Sequence, residues 1–255
     1  MRFYTAATAA CGVMVLSALA VPAAHADEQF GDTDITSVVV EDGSPVVVGT
    51  AARTVTVKVT ATDPSGLDQI NATLYHGTYG AQDATVPSAA ACGPTTATTS
   101  TCTLTFTLTP GTAPADDSLA GSWSVSAYAV AVDSDAEFLD SAATFALKRD
   151  SRLTAADATP EPVKRGKTLT LRGALQNATW ATSTYAPAEP GHPVALQFRK
   201  KGCNTFTTVK TVPTAPDGTL STTVRAHNDG DYRWSYTGTP TTAPTLSTPD
   251  YVDVK

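Results

Sequence analysis

Residues 52–62, ARTVTVKVTAT, decide the fold class, because polar and apolar side chains alternate without a break from Thr54 to Thr62. Val55, Val57 and Val59 fall on one face, and threonines with one lysine occupy the other. This period of two is typical of a β-strand with one buried face. The pattern recurs in GSWSVSAYAVAV (121–132), and after residue 26 no segment keeps a helical period for three turns. The sequence therefore predicts an all-β protein.

Similar short segments follow one another through both halves of the chain. They are separated by turn residues, and the 17 glycines and 17 prolines fit a chain with many turns. About six short strands in each half are typical of a sandwich of two antiparallel sheets. The further predicted strands are 34–40, 67–77, 101–109, 138–147, 168–175, 193–200, 205–212, 219–226, 231–238 and 250–255, and the longest predicted loop is 176–192.

The first 26 residues have the layout of a secretory signal peptide. Arg2 precedes an apolar run at 9–21, and the small-residue cleavage signal AHA follows. The run is shorter than the ~20 residues that a membrane-spanning helix needs. We therefore expect segment 1–26 to be cleaved and the mature chain to be secreted, extracellular and not membrane-bound, with association to the cell wall as a further expectation.

Charge divides the mature chain into two parts. Residues 27–149 carry fifteen acidic and four basic side chains, whereas residues 150–255 carry nine acidic and twelve basic ones. Such asymmetry favours two domains with different surfaces, here 27–149 and 150–255. We expect a short charged hinge at 147–153 and domains that sit end to end. The acidic first half argues against nucleic acid as a partner.

The second half resembles a module found in many secreted actinobacterial proteins. The resemblance rests on TPEPVKRGKTLTLRGAL (159–175), PGHPVALQFRKKG (190–202) and DGTLSTTVRAHNDGDYRWSYTG (217–238). It implies an immunoglobulin-like β-sandwich. The first half is similar to bacterial immunoglobulin-like domains, in which a strand ends in an aspartate turn, as at Asp63, and a late strand ends in A-x-D, as at 131–133. Neither family implies catalytic residues, because fold does not specify function.

The mature sequence contains three cysteines. Cys92 and Cys102 bracket a short loop, and in an exported protein this spacing predicts a local disulfide that serves as a structural staple. Cys203 is left over, in the turn KKGCN. It is predicted to be a free exposed thiol or to link two chains into a disulfide-bonded dimer.

No recognisable catalytic motif occurs in the sequence. His76, His192 and His227 lie at a strand end or in turns, and no nucleophile elbow, zinc-binding motif or phosphate-binding loop is present. The glutamates at 41, 137, 161 and 189 lie in polar turns rather than in apolar pockets, which would raise the pKa of a catalytic acid. We expect no enzymatic activity and no cofactor, with a hydrolase as a remote alternative.

Acidic side chains in VAVDSDAEFLD (130–140) raise the question of a calcium site. The loop lacks the glycine and the distal glutamate of an EF-hand, so that interpretation fails. A site between separate turns stays open, because Ca²⁺ takes six to eight oxygens. The candidate ligands are Asp63, Asp68, Asp133 and Asp135, with Asp32 and Asp34 predicted at the same end of the sandwich.

Two aromatic residues in the predicted loop 176–192 are candidates for ligand contact. Trp180 and Tyr185 could stack on a carbohydrate, or they could close the end of the sandwich. The neighbouring basic residues could rest on an anionic wall polymer. The leading prediction is a secreted structural or interaction protein whose partner is an unidentified protein or a cell-wall polymer. The alternative is a module that binds calcium, carbohydrate or the cell wall.

Overall fold

The structure, a computed structural model, describes residues 27–255, so the predicted signal peptide lies outside the described residues. Within that range the chain forms strands and two one-turn 3-10 helices, Glu41–Gly43 and Asp117–Leu119. No helix in this range is long and apolar enough to cross a membrane. The first module contains β1 (Glu28–Phe30), β2 (Asp34–Val40), β3 (Val46–Val48), β4 (Arg53–Thr62), β5 (Leu67–Thr78), β6 (Ala81–Pro87), β7 (Thr99–Leu108), β8 (Gly121–Ala131) and β9 (Ala136–Arg149). The second module contains β10 (Ser151–Leu153), β11 (Asp157–Thr159), β12 (Thr168–Thr179), β13 (Thr184–Pro187), β14 (Pro193–Lys200), β15 (Thr207–Pro213), β16 (Thr219–Arg225), β17 (Gly230–Tyr236), β18 (Thr245–Leu246) and β19 (Asp250–Val252).

Two sheets form the first module. One has the order β1-β9-β8-β5-β6, with β3 added beside β9, and the other has the order β2-β4-β7. Neighbouring strands are antiparallel except for β3 and β9, which run parallel. The all-β prediction is confirmed, and this pair is the one departure from antiparallel pairing among the named strands of the described chain.

The core of the first module follows from the alternation along the strands. Val55, Val57 and Val59 of β4 are fully buried, as are Trp123 and Val125 of β8. Burial of each side chain of this size contributes roughly 1.5–3 kcal/mol. The polar residues between them face outward, so the sequence pattern fixes which side of each sheet faces its partner sheet.

The second module repeats this arrangement. One sheet is built on β12, which pairs with β11 and β16, and the other is built on β14 and β17, with β15, β18 and β19 alongside. Its core includes Leu169, Leu171 and Leu196, together with Trp234, which is fully buried. The two modules thus share a fold without sharing a sequence.

The strand order in both modules is that of an immunoglobulin-like sandwich. In the first module the three-stranded sheet holds β2, β4 and β7, and the chain crosses to the opposite sheet after β4 and again after β7. The second module places β11, β12 and β16 in the same positions and crosses after β12 and β16. This Greek-key connectivity between two packed sheets defines the immunoglobulin-like class, so the predicted fold class is confirmed.

The predicted disulfide between Cys92 and Cys102 is present. Cys92 lies in the connection between β6 and β7, where its backbone N–H donates to the Ile70 carbonyl at 3.0 Å. Cys102 is buried in β7. The bridge therefore fastens the connection across the two sheets. Cys203 is a free, exposed thiol, and the single disulfide of the described chain is intramolecular, so nothing in the structure supports a disulfide-linked dimer.

The segment 176–192, predicted as a loop, instead forms a hairpin arm. β12 continues to Thr179, beyond the residues that pair with β16, and its last four residues pair with β13. The expected hinge at 147–153 is also strand, because β9 ends at Arg149 and β10 begins at Ser151. The connection between the modules is therefore made of paired backbone.

Candidate functional site

Three carboxylates converge at the end of the first module that lies away from the second module. Asp32 lies in the turn between β1 and β2, Asp63 directly follows β4, and Asp135 directly precedes β9. One oxygen from each carboxylate lies within 4.8 Å of the other two. The antiparallel strands bring these turns together, since β4 ends at the same end of the sandwich at which β9 begins.

Asp63 is the anchor of this acidic cluster. It is buried, and its Oδ2 accepts a hydrogen bond from Thr33 Oγ1 at 2.7 Å. Its Oδ1 accepts from the Ser65 backbone N–H at 2.7 Å and from Ser65 Oγ at 2.6 Å. Burial alone would raise the pKa of Asp63, but the hydrogen bonds from Ser65 and Thr33 outweigh it and lower the pKa below the usual value. Asp63 is therefore held as a carboxylate.

Asp32 and Asp135 are more exposed and lie against each other. Asp135 Oδ2 accepts from the Asp32 backbone N–H at 3.1 Å. The pKa of Asp32 is raised by desolvation and then by the negative charges of Asp63, Asp135 and Asp133. Gly31 makes the close approach feasible, because its φ is +75° and a Cβ there would lie 1.7 Å from Asp135 Oδ2. Carboxylate oxygens in such a group are the ligands that Ca²⁺ prefers.

The predicted calcium ligands are therefore brought together only in part. Asp63 and Asp135 meet, joined by Asp32, which the sequence placed at this end but which was not among the four candidate ligands. Asp133 contributes to the turn instead, since its Oδ1 accepts from the Asp135 backbone N–H at 3.3 Å. Asp68 is exposed on β5 and lies outside the three-carboxylate group. Spacing in the sequence could not rank these residues, because it does not give the direction in which a turn side chain points.

Trp180 belongs to the joint between the modules. Of the two alternatives for it, stacking on a carbohydrate is contradicted by its burial, and the residue instead closes a sandwich end, that of the first module. It lies at the tip of the β12–β13 arm, is fully buried, and packs into the hydrophobic core of the first module. Its Nε1 donates to the Val48 carbonyl at 3.0 Å, and its backbone N–H donates to Asp117 Oδ1 at 2.7 Å. A ring enclosed in this way cannot stack on a carbohydrate.

Tyr185 is also committed to the joint. Its hydroxyl donates to Asp150 Oδ2 at 2.5 Å, and the Arg152 guanidinium lies 3.6 Å above its ring. Desolvation and the Asp150 carboxylate raise the pKa of Tyr185 to about 12. The ring of Tyr185 contacts Arg152 and its hydroxyl is bonded to Asp150, so the structure gives Tyr185 a role between strands rather than in ligand contact.

Arg149 is the charged centre of the joint. Its Nη1 lies 3.0 Å from Asp117 Oδ2 of the first module, and its Nη2 lies 2.9 Å from Glu189 Oε1 of the second. Desolvation opposes ionisation of Glu189, but the bond to Arg149 prevails and lowers the pKa of Glu189 to about 2. The Arg149 backbone also bonds to the second module, through Thr241 at 2.9 Å and Ala243 at 2.8 Å. One arginine thus ties three loops together.

The histidines occupy polar pairs or a surface groove. His76 Nδ1 lies 2.7 Å from Asp83 Oδ1 on the β5–β6 hairpin, and His192 Nε2 lies 3.4 Å from Glu189 Oε2 beside the joint. His227 lines a groove at the far end of the second module. In the described chain no serine, threonine or cysteine side chain hydrogen-bonds to an imidazole nitrogen.

Comparison with known proteins leaves the function open. No protein-family model and no curated protein matches the chain. Among solved structures, the D0-D1 domains of intimin are 17% identical with a TM-score of 0.27, covering 86% of this chain and 98% of that one. The D00-D0 domains of intimin are 10% identical with a TM-score of 0.28, covering 85% and 99%. A protein from Corynebacterium diphtheriae, described as membrane-anchored, is 10% identical with a TM-score of 0.29, covering 85% and 53%. At these TM-scores the assignment to the immunoglobulin-like class rests on the chain's own strand order.

Proposed function

We propose that this chain is a secreted, non-enzymatic structural or interaction protein in which two immunoglobulin-like modules form one rigid rod. The observation that carries the proposal is the position of Trp180. A side chain from the second module completes the core of the first, so the modules cannot rotate against each other without opening that core. Arg149, with partners in both modules, supports the same joint.

A rigid rod suits a protein that presents its ends at a fixed distance. Independent modules on a flexible linker would hold their binding ends in many relative orientations. Here the chain passes from β9 to β10 through a single residue, Asp150, whose N–H donates to the Val48 carbonyl of the first module at 3.0 Å. The carbonyl of Asp150 accepts from Ala178 of the second module at 2.8 Å. Both backbone groups of the connecting residue are therefore fixed.

Small-angle X-ray scattering and calorimetry test this function directly. For residues 27–255 in 0.5 M NaCl, we expect a scattering curve that one conformation fits, and a single unfolding transition in which both modules melt together. A curve that requires an ensemble of module orientations, or two separate transitions in the wild-type chain, would contradict the proposal. The Thr182→Ala variant, altered at an exposed residue in the tip of the β12–β13 arm, serves as the control and should give the same scattering curve and the same single transition.

Divalent-cation binding at the acidic cluster is a second candidate function. The convergence of Asp32, Asp63 and Asp135 within 4.8 Å favours it. Extracellular calcium modules bind with Kd values on the order of 10⁻⁴–10⁻³ M. With a Kd of about 1 mM, 10 mM Ca²⁺ would stabilise the fold by about 1.4 kcal/mol. We expect the melting temperature to rise by roughly 3–5 °C.

The cation test uses two matched aspartate variants. Asp32→Asn removes one carboxylate charge from the cluster, whereas Asp116→Asn removes the charge of an exposed turn aspartate near the joint. The calcium-induced rise in melting temperature should disappear in the first variant and persist in the second. A wild-type melt that does not respond to calcium or to EGTA would rule out this candidate and leave the rod proposal untouched.

A further inference from the structure

We propose that the far end of the second module docks onto the acidic end of the first module in another copy of the chain, so that copies associate head to tail. This inference builds on the proposed interaction role, because it names the partner of that role. It is carried by two surfaces at opposite ends of the described chain that match in charge and in apolar character.

The register of the strands places the two surfaces at opposite ends. In the second module β14 runs away from the joint and ends at Lys200, which is paired with Gly230 at the start of β17. Gly230 in turn pairs with Val252 of β19. The turns that follow or precede these residues therefore gather at the end remote from Arg149. In the first module β8 runs away from the joint and ends at Ala131, beside the acidic cluster.

The remote end of the second module carries a basic groove. The groove has a volume of about 490 Å³ and is lined by Arg165, Lys200, Lys201, His227, Asn228 and Lys255, with Asp229 and Val254. Lys201 makes a long ion pair with Asp229, at 3.7 Å, and its Nζ lies 5.8 Å from the centre of the Tyr251 ring. Within the described chain, Arg165 and Lys200 have no acidic side chain within 4 Å. Two exposed cations of this groove are thus free to meet an anionic partner.

An apolar slot adjoins the basic groove. It has a volume of about 280 Å³ and shares His227 and Asn228 with the groove. Its apolar walls are Phe198, Val209 and Tyr232, completed by Val224 and Arg225. Val209 remains 46% exposed. A partner that fits this end should therefore present an apolar side chain next to carboxylates.

The acidic end of the first module has this combination. Phe30 and Val132 are each 56% exposed, and Phe138 is 39% exposed. These side chains adjoin the turns that carry Asp32, Asp133 and Asp135, and residues 27–52 contain no lysine or arginine. Exposed apolar groups rimmed by charge are typical of interaction sites. The match of acidic and apolar groups with a basic groove and an apolar slot favours a second copy over an anionic polymer, which would use the charge alone.

The geometry predicts open-ended and weak association. Surfaces at opposite ends of one chain form a heterologous contact, which continues as a filament unless it closes into a ring. We expect a contact between two sandwich ends to bury less than the ~1,200 Å² of stable interfaces. Screening shortens the electrostatic range from about 10 Å at 0.1 M salt to about 3 Å at 1 M. Association should therefore be visible at low salt and lost at high salt.

Charge reversal in the two ends tests the proposal. In a Cys203→Ser background, sedimentation velocity at low salt should show concentration-dependent oligomers of residues 27–255 that dissociate in 1 M NaCl. Lys200→Glu with Lys201→Glu should weaken association at least about tenfold, and so should Asp34→Lys with Asp133→Lys. A mixture of the two double variants should restore it. Lys58→Glu with Arg172→Glu reverses two exposed cations, on β4 and β12, that belong to neither docking surface, and should have no such effect.

Cys203 offers an independent proximity test, because it lies in the turn after Lys200 at the docking end. In the chain that retains Cys203, Asp133→Cys should give a ladder of disulfide-linked oligomers on non-reducing gels, whereas Thr105→Cys on the outer face of β7 should not. A monomer at every concentration, a mixture that fails to restore association, or equal ladders from both cysteine variants would overturn the proposal. So would binding of the basic end to wall polymer without self-association. Failure of the rod proposal can be distinguished from failure of this one, because the scattering and calorimetry experiments that test the rod are done in 0.5 M NaCl, where the charges of the two ends are screened.

Discussion

Replacement of Trp180 by alanine should destabilise the module that does not contain it. Trp180 is fully buried in the core of the first module, although β12 carries it there from the second. Removal of a buried tryptophan side chain costs about 3–5 kcal/mol, from lost burial and the cavity left behind. The Nε1 bond to the Val48 carbonyl is lost as well. For a chain of this length the melting temperature should fall by roughly 6–20 °C.

The loss should appear as uncoupling as well as destabilisation. The Trp180 side chain at the tip of the arm joins the two cores. The Trp180→Ala change should therefore split one calorimetric transition into two, with the first module melting earlier. Calorimetry and urea unfolding followed by circular dichroism measure both effects. Trp180→Phe keeps an aromatic ring but removes the Nε1 donor, so the Val48 carbonyl retains only its bond from the Asp150 N–H. The lost hydrogen bond and the smaller ring should together cost about 1–3 kcal/mol.

The exposed neighbour Thr182 gives the matched control. Thr182→Ala should change stability by no more than about 0.5 kcal/mol. If Trp180→Ala proves no worse than Thr182→Ala, or if only the second module loses stability, the tryptophan does not complete the first core and the argument for a rigid joint fails.

Three further perturbations probe the joint, the staple and the acidic end. Arg149→Met should destabilise by somewhat less than the about 3–5 kcal/mol of a fully buried pair, because Asp117 and Glu189 are partly exposed. Glu189 has a pKa of about 2 in the folded chain, below its unfolded value. The stabilisation that ionised Glu189 contributes should therefore be complete above about pH 5 and be lost as the pH falls toward 2. Urea unfolding midpoints measured across this range should depend less on pH in Arg149→Met than in the wild-type chain. Cys92→Ala with Cys102→Ala should lower the free energy of unfolding by about 2–3 kcal/mol, with no further change on adding reductant. Gly31→Ala should cost about 1 kcal/mol or more and shift the amide resonances of Asp32 and Asp135, because a Cβ there collides with the Asp135 carboxylate; unchanged resonances would refute the close approach.

Alternation along the strands was sufficient to predict the fold class, because burial of one face of a sheet is a local property of the sequence. Val55, Val57 and Val59 lie in the core as the pattern required. The disulfide was equally predictable, because Cys92 and Cys102 lie ten residues apart and Cys203 is the other cysteine after residue 26. The parallel β3–β9 pair had no such signal. Three residues, Val46–Val48, are too few for periodicity to specify a neighbour.

The roles of Trp180 and Asp32 depend on contacts that sequence patterns do not record. Trp180 lies in a segment rich in small and polar residues, which is typical of a loop, and its burial comes from another module. Asp32 joins Asp63 and Asp135 because the turn after β1 folds over both, with Gly31 making room. Local propensity gives the existence of these turns. Tertiary packing alone decides where their side chains point.

The low charge on one side of the rod explains why association should occur through the ends. The outward positions of β4 and β7 are mostly threonine, with Thr54 opposite Thr107 and Thr56 opposite Thr105 in the ladder. This face offers hydroxyl and methyl groups with little charge, so it gives an approaching copy little electrostatic direction. The joint occupies one end of each sandwich, and the two remaining ends hold opposite charge. Because electrostatic steering acts before contact, approach along the long axis should outcompete lateral association at low salt, and added salt should remove that preference without favouring a lateral contact.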